Sequence, residues 1–196
     1  MTDHIERFKT LCAAIKRPGI DDLTAWLSGS DFYTAPASTK YHGAEPGGLL
    51  AHSLNVYDEL KRLLAAYPEI KASEETVAIV SLFHDLCKVN FYGTEKRNQK
   101  NEETGKWEPY DSYIIREKFC FGGHGSKSVF LLQNFIKLTP EEAVAINCHM
   151  GAYDDPNNKY VSKSYEQFPL AWLLHVADEA AAFIIEKEGS ECPSAQ

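Results

Sequence analysis

Apolar residues recur at three- and four-residue steps along most of the chain, and the breaks between these runs fall at Pro and Gly. Ile5, Phe8, Leu11, Cys12 and Ile15 predict a first helix over 3–17, ended by Pro18-Gly19. A short helix is expected over 21–27. The stretch SDFYTAPASTKYHGAEPGG mixes Pro, Gly, Ser and Thr and reads as loop. Leu49, Val56, Leu60 and Leu63 make one stripe of a helix over 49–67, and Val77 and Val80 lead to His84 on a helix expected over 74–87. Between Asn90 and Phe119 the period is lost. Trp107, Tyr110, Tyr113, Ile114 and Ile115, near a turn-like Thr104-Gly105, predict a long loop or a small β-hairpin laid on the helical body. Helical pattern resumes at Gly123-His124 and runs to Ile136. Thr139-Pro140-Glu141-Glu142 is a capping box with Pro at the first helical position, opening a helix expected to reach His149 and stop near Gly151. The segment 153–167 reads as loop, with Asp154 and Asp155 as turn residues. Pro169 opens a last long helix that Gly189 should stop, and the tail 189–196 is read as frayed.

The prediction is an all-α fold. One helical bundle spans 41–188, the helices and loop of 1–40 pack on it, and an insert of about 90–119 interrupts it. A length of 196 residues suits one sizeable core. The formal net charge of −8 argues against nucleic-acid binding by bulk charge. Cys12, Cys87, Cys120, Cys148 and Cys192 contain no C-x-x-C spacing, which argues against a disulfide scaffold. The N-terminus lacks an apolar core of a signal peptide, and no apolar run approaches the roughly 20 residues of a membrane helix. A soluble, cytoplasmic protein without membrane contact is expected.

His52, His84 and Asp178 interrupt this pattern. Each stands on an apolar stripe where Leu or Val is expected; Asp178 continues the series Leu170, Leu174, Ala177. A carboxylate turned into a helical core costs several kcal/mol unless it is paired or bound to a metal. Misplaced imidazoles and carboxylates on different helices share one solution, which is convergence on a cation. Neutral imidazole suits first-row transition ions, and a carboxylate adds charge and can bridge two of them.

The runs GGLLAHSLNVYDEL, LFHDLCK and LLHVADEAA place His, then His-Asp, then a distant Asp in order. This resembles the HD-domain superfamily of metal-dependent phosphohydrolases over about 41–185, with Lys88 in the lysine place of an HD-x-x-K signature. GGHGSKSV and INCHMGAY add His124 and His149, an order similar to a two-metal branch that includes HD-type 3′–5′ exoribonucleases. Where a second His or an acid often follows the later His in that branch, Met150 stands here. The resemblance implies a first ion on His52, His84, Asp85 and Asp178, with Asp85 bridging to a second held by His124 and His149. It implies hydrolysis of a phosphomonoester or phosphodiester by metal-activated hydroxide, with Asp85 and Lys88 as catalytic residues and Lys88 on substrate phosphate. One or two divalent ions are expected; Mn, Fe, Mg, Ni, Co and Zn are not distinguished. The expected partner is a phosphorylated small molecule, a nucleotide or a short single-stranded nucleic acid. Rival readings are a di-iron HD-fold oxygenase and a non-catalytic nucleotide-binding module.

Other residues receive plainer readings. His175 is expected to pack behind the ligands, His42 to lie in a loop near the entry to the metal helix, and His4 to be at the surface. Cys148 is read as a buried structural cysteine. Lys96, Arg97, Lys100, Lys106, Arg116 and Lys118 interleave with aromatics in the insert, but Glu95, Glu102, Glu103, Glu108 and Glu117 nearly cancel them. A solvated hairpin is the simpler reading.

Overall fold

Each predicted apolar stripe becomes a helix, and each helix stops where the chain must turn. The computed structural model describes residues 2–102, 104–117, 121–153 and 160–187. In chain order the elements are α1 (Thr2–Ala14), α2 (Ile20–Ser28), α3 (Gly48–Ala66), α4 (Glu74–Phe83), β1 (Tyr92–Lys100), β2 (Trp107–Ile115), α5 (His124–Leu132), α6 (Pro140–Cys148), α7 (Val161–Gln167) and α8 (Pro169–Ala180). The protein is mostly helical, with a two-stranded antiparallel insert. No single helix among the described residues is long and apolar enough to cross a membrane.

The core lies around α3, which packs against α1, α4 and α8, while α6 closes the other side against α4, α5 and α8. Phe8, Leu23, Leu49, Val56, Leu60, Ile79, Phe83, Leu170 and Leu174 are fully buried there. Fully burying one such side chain is worth about 1.5–3 kcal/mol. Gly125, at the start of α5, lets that helix press against the end of α6: a Cβ there would stand 2.3 Å from the Asn147 carbonyl oxygen. This close approach sets His124 beside the end of α6.

The structure corrects several boundaries. The helix expected over 74–87 ends at Phe83, and Leu86–Lys88 forms a separate 3₁₀ turn. The reason is local: Asp85 leaves helical dihedrals (φ −102°, ψ 25°), so His84 and Asp85 sit at a break rather than inside a helix. The segment over 153–167, read as loop, contains α7, whose Val161 is buried. Asp154 and Asp155 lie outside the described residues, as do Lys118, Cys120, Cys192 and Gly189. The final helix changes to π geometry over Ala181–Ile185, with the Glu186 amide donating to the Ala181 carbonyl.

The insert resolves into a hairpin paired from Tyr92↔Ile115 to Lys100↔Trp107. It is not laid on the helical body. Only its base, at Tyr92-Gly93 and Ser112–Ile114, is half-buried, and the rest of both strands faces solvent. Trp107 is 70% exposed at the far end, so the alternation of aromatics with charges signals strand pairing rather than core packing.

The predicted capping box is present: Thr139 Oγ1 accepts from the Glu142 amide, and the Glu142 carboxylate accepts from the Thr139 amide. Glu142 does more than cap. Both its oxygens accept from the Arg17 guanidinium at 2.9 and 3.1 Å, and Thr76 donates to it as well. This buried carboxylate therefore ties the α1–α2 loop and α4 to α6. Burial alone would raise the Glu142 pKa, but the Arg17 and Thr139 hydrogen bonds overcome it and hold it below its ordinary 4.5. Its contribution to stability is complete above that value and is lost as pH falls through the lower folded value. Glu142→Ala is expected to lower the unfolding free energy by about 3 kcal/mol at neutral pH, read by urea denaturation. That difference should shrink on acidification. A gap that stays constant well below the ordinary glutamate pKa would rule the ion pair out as its source.

Candidate metal centre

The break after α4, the first turns of α3 and the end of α8 meet at one point. His52 lies one turn into α3, His84 and Asp85 sit where α4 stops, and Asp178 stands near the end of α8. All four are buried. His52 Nε2 is 3.0 Å from Asp178 Oδ1, 3.3 Å from His84 Nε2 and 3.7 Å from Asp85 Oδ2. His84 Nε2 is 3.4 Å from Asp85 Oδ2 and 3.8 Å from Asp178 Oδ1. Donor atoms around one first-row ion, with bonds of about 2.0–2.3 Å, lie roughly 3.0–3.8 Å apart.

The outer ring nitrogens decide which way each imidazole faces. His52 Nδ1 donates to the Glu186 carboxylate at 3.0 Å, His84 Nδ1 to the Ser81 carbonyl at 2.8 Å, and His149 Nδ1 to the Ile146 carbonyl at 2.7 Å. With Nδ1 holding the proton, Nε2 of each neutral ring presents a lone pair inward. Two such lone pairs at 3.3 Å, with two carboxylates beside them, need a cation between them. A proton can serve: burial opposes charge on His52, yet its hydrogen bonds to Asp178 and Glu186 prevail and raise its pKa to about 10. Burial likewise opposes charge on Asp178, and His52 and His84 hold it far below the usual carboxylate range. His149 Nε2 is buried, has no hydrogen-bond partner among the described residues, and lies 3.6 Å from Asp85 Oδ1; burial opposes charge on this ring, but the facing Asp85 carboxylate raises its pKa above the ordinary value. The donor set fits a divalent metal ion.

Asp85 faces two ways. Oδ2 looks toward His52, His84 and the Lys88 ammonium, 2.6 Å away. Oδ1 looks toward His149 and toward Cys87 Sγ at 3.9 Å. Burial disfavours the Asp85 charge, but Lys88 and His84 hold its pKa well below the ordinary value. The structure thus places Lys88 on Asp85, buried at the floor of the site. His124 comes to the same side through Cys87, whose sulfur is 3.4 Å from His124 Nδ1.

His42 and His175 pack around this centre. The His42 ring lies 4.9 Å from the His52 ring, and its Nε2 is buried with no hydrogen-bond partner among the described residues. Burial and the neighbouring His52 push its pKa down to about 4. His175 Nδ1 donates to the His149 carbonyl at 2.6 Å, and its ring stacks on Tyr165. It supports the chain at His149 rather than pointing into the ligand group.

Sequence reasoning missed Glu186 and Cys87. On a straight α-helix Glu186 would lie about 80° around from Asp178, a position with no signal. The π turn brings it to His52, where Asn55 also donates to it at 2.9 Å. Cys87 did leave a trace, since it follows His84 by three residues, but a cysteine beside Leu86 reads as core.

The HD domain family model matches residues 49–182, and the chain belongs to that family. Comparison with curated proteins and with solved structures found no match.

Glu186 sets the proton position of His52 without reaching the ligand group itself. Glu186→Ala is therefore expected to weaken manganese binding about 10–100-fold, measured by calorimetry on the metal-free protein, with little change in the circular dichroism spectrum. An unchanged dissociation constant would show that the Glu186–His52 bond does not support a metal.

Proposed function

We propose that this HD-domain protein is a metal-dependent phosphohydrolase that cleaves a phosphomonoester or phosphodiester in a nucleotide or nucleic-acid-like substrate. The observation that carries the proposal is the meeting of His52, His84, Asp85 and Asp178, with the imidazole lone pairs turned inward by Glu186 and Ser81. These four residues hold the first ion. Asp85, His124 and His149 hold a second. A divalent ion bound there supplies a water of lowered pKa and neutralises charge on the phosphoryl oxygens.

The chain's own groups do the rest. Lys88 keeps Asp85 ionised at 2.6 Å, so the carboxylate stays an acceptor at neutral pH. An ammonium has three N–H groups, and those not spent on Asp85 serve a substrate phosphate oxygen. The Ser81 and Ile146 backbone carbonyls accept from Nδ1 of His84 and His149, which keeps Nε2 of each ring turned toward the ligand group. A cavity of about 740 Å³ shares His42 and Glu186 with this centre and is flanked by Lys40, Tyr41, Phe183 and Lys187. Such a volume suits a small ligand, and aromatic and cationic walls suit a base and a phosphate.

The test is phosphate release from a panel of mononucleotides, cyclic dinucleotides and short single-stranded RNA and DNA, by protein loaded with manganese. His84→Ala and Asp178→Ala should each lower the rate at least about 10³-fold, because they remove ion-based transition-state stabilisation, and should lose bound metal in parallel. Oxygen consumption by the iron-loaded protein, with no phosphate release across the panel, would replace hydrolysis with oxygen chemistry.

A further inference from the structure

We infer that Cys87 is a sulfur ligand of the second cation site, shared with Asp85 and His124, and that this site takes a thiophilic divalent ion such as zinc, cobalt or ferrous iron. The inference rests on the metal-dependent reading above and specifies the chemistry of its second site. Cys87 Sγ is 3.9 Å from Asp85 Oδ1 and 3.4 Å from His124 Nδ1. The donor atoms of Asp85, Cys87 and His124 all lie within 4.8 Å of one another. Bonds of about 2.0 Å to nitrogen and oxygen and 2.3 Å to sulfur place tetrahedral donors roughly 3.3–3.8 Å apart.

Cys87 is fully buried, and its backbone amide donates to Ser128 Oγ at 3.1 Å. That bond ties the 3₁₀ turn to α5 and holds the thiol against His124. A thiol hydrogen bond to His124 accounts for those two residues alone. An ion held by Asp85, Cys87 and His124 accounts for all three. On binding, the S–H bond breaks, the sulfur keeps the electron pair and donates it to the ion, and the proton leaves to the buffer. A thiolate in the set disfavours magnesium and calcium, which prefer oxygen ligands.

The test is titration of the metal-free protein with cobalt(II), followed by absorption spectroscopy and by counting bound cobalt with plasma emission. Wild type and Cys148→Ser should develop a near-ultraviolet thiolate-to-cobalt charge-transfer band. Cys87→Ser should lack the band and retain one cobalt fewer. Cobalt-loaded wild type without the band, or a band that survives in Cys87→Ser, overturns the inference. If Cys87→Ser does not fold, the other spectra still decide: a band absent from Cys148→Ser would move the sulfur ligand to Cys148 and sink the assignment. Hydrolysis without the band removes this site and leaves the hydrolase standing; the band without hydrolysis does the reverse.

Discussion

The ionised Asp85 carboxylate, buried at the meeting point of α3, α4, α6 and α8, is the constraint on which the structure turns. An isolated charge there would be prohibitive. It persists because Lys88 reaches it at 2.6 Å and because three imidazoles face it or its neighbour Asp178. Each of those groups is itself buried and needs its own partner. The Ser81 and Ile146 carbonyls, Glu186 and Asn55 answer that need. The polar network thus extends outward, and the apolar residues around it form a shell that fixes it in place.

Departures from regular helix geometry cluster at this network. Helix α4 ends at Phe83, so His84 and Asp85 can diverge from one another. Helix α6 ends with His149 as its C-cap, and Gly151 follows with a positive φ of 58° while the ring of His175 lies against it. Helix α8 widens into a π turn that swings Glu186 back to His52. Such π turns are found frequently at functional sites. Stability is supplied elsewhere, by the aliphatic core of α3 and α4 and by the Arg17–Glu142 link between distant segments.

The hairpin follows directly from the site. Lys88 stands at the end of the 3₁₀ turn, and β1 begins at Tyr92, whose hydroxyl donates to the Ala37 carbonyl at 3.2 Å. That bond and the half-buried base of the strands join the insert to the loop that carries His42. Farther out, Lys96 pairs with Asp111 and Arg97 with Glu95, so the charges on the strands are largely answered within the hairpin itself. A near-neutral balance of charges in the insert already pointed to a solvated surface.

By itself the sequence determined the ligand candidates and the helices other than α7, which lacked a readable apolar stripe. Apolar stripes at helical period state where helices form, because burying one face is what stabilises them. His52, His84 and Asp178 stood out because a polar residue on such a stripe breaks a local rule. The capping box at Thr139 was legible because it is a local pattern of four residues. Only the tertiary structure decided the rest. The break after Phe83, the π turn before Glu186 and the approach of α5 to α6 depend on partners distant in sequence. Glu186 therefore gave no period-based sign of its place, and Cys87, though at helical spacing from His84, read as core. Periodicity reports which face of a helix is buried, and it cannot report what that face meets.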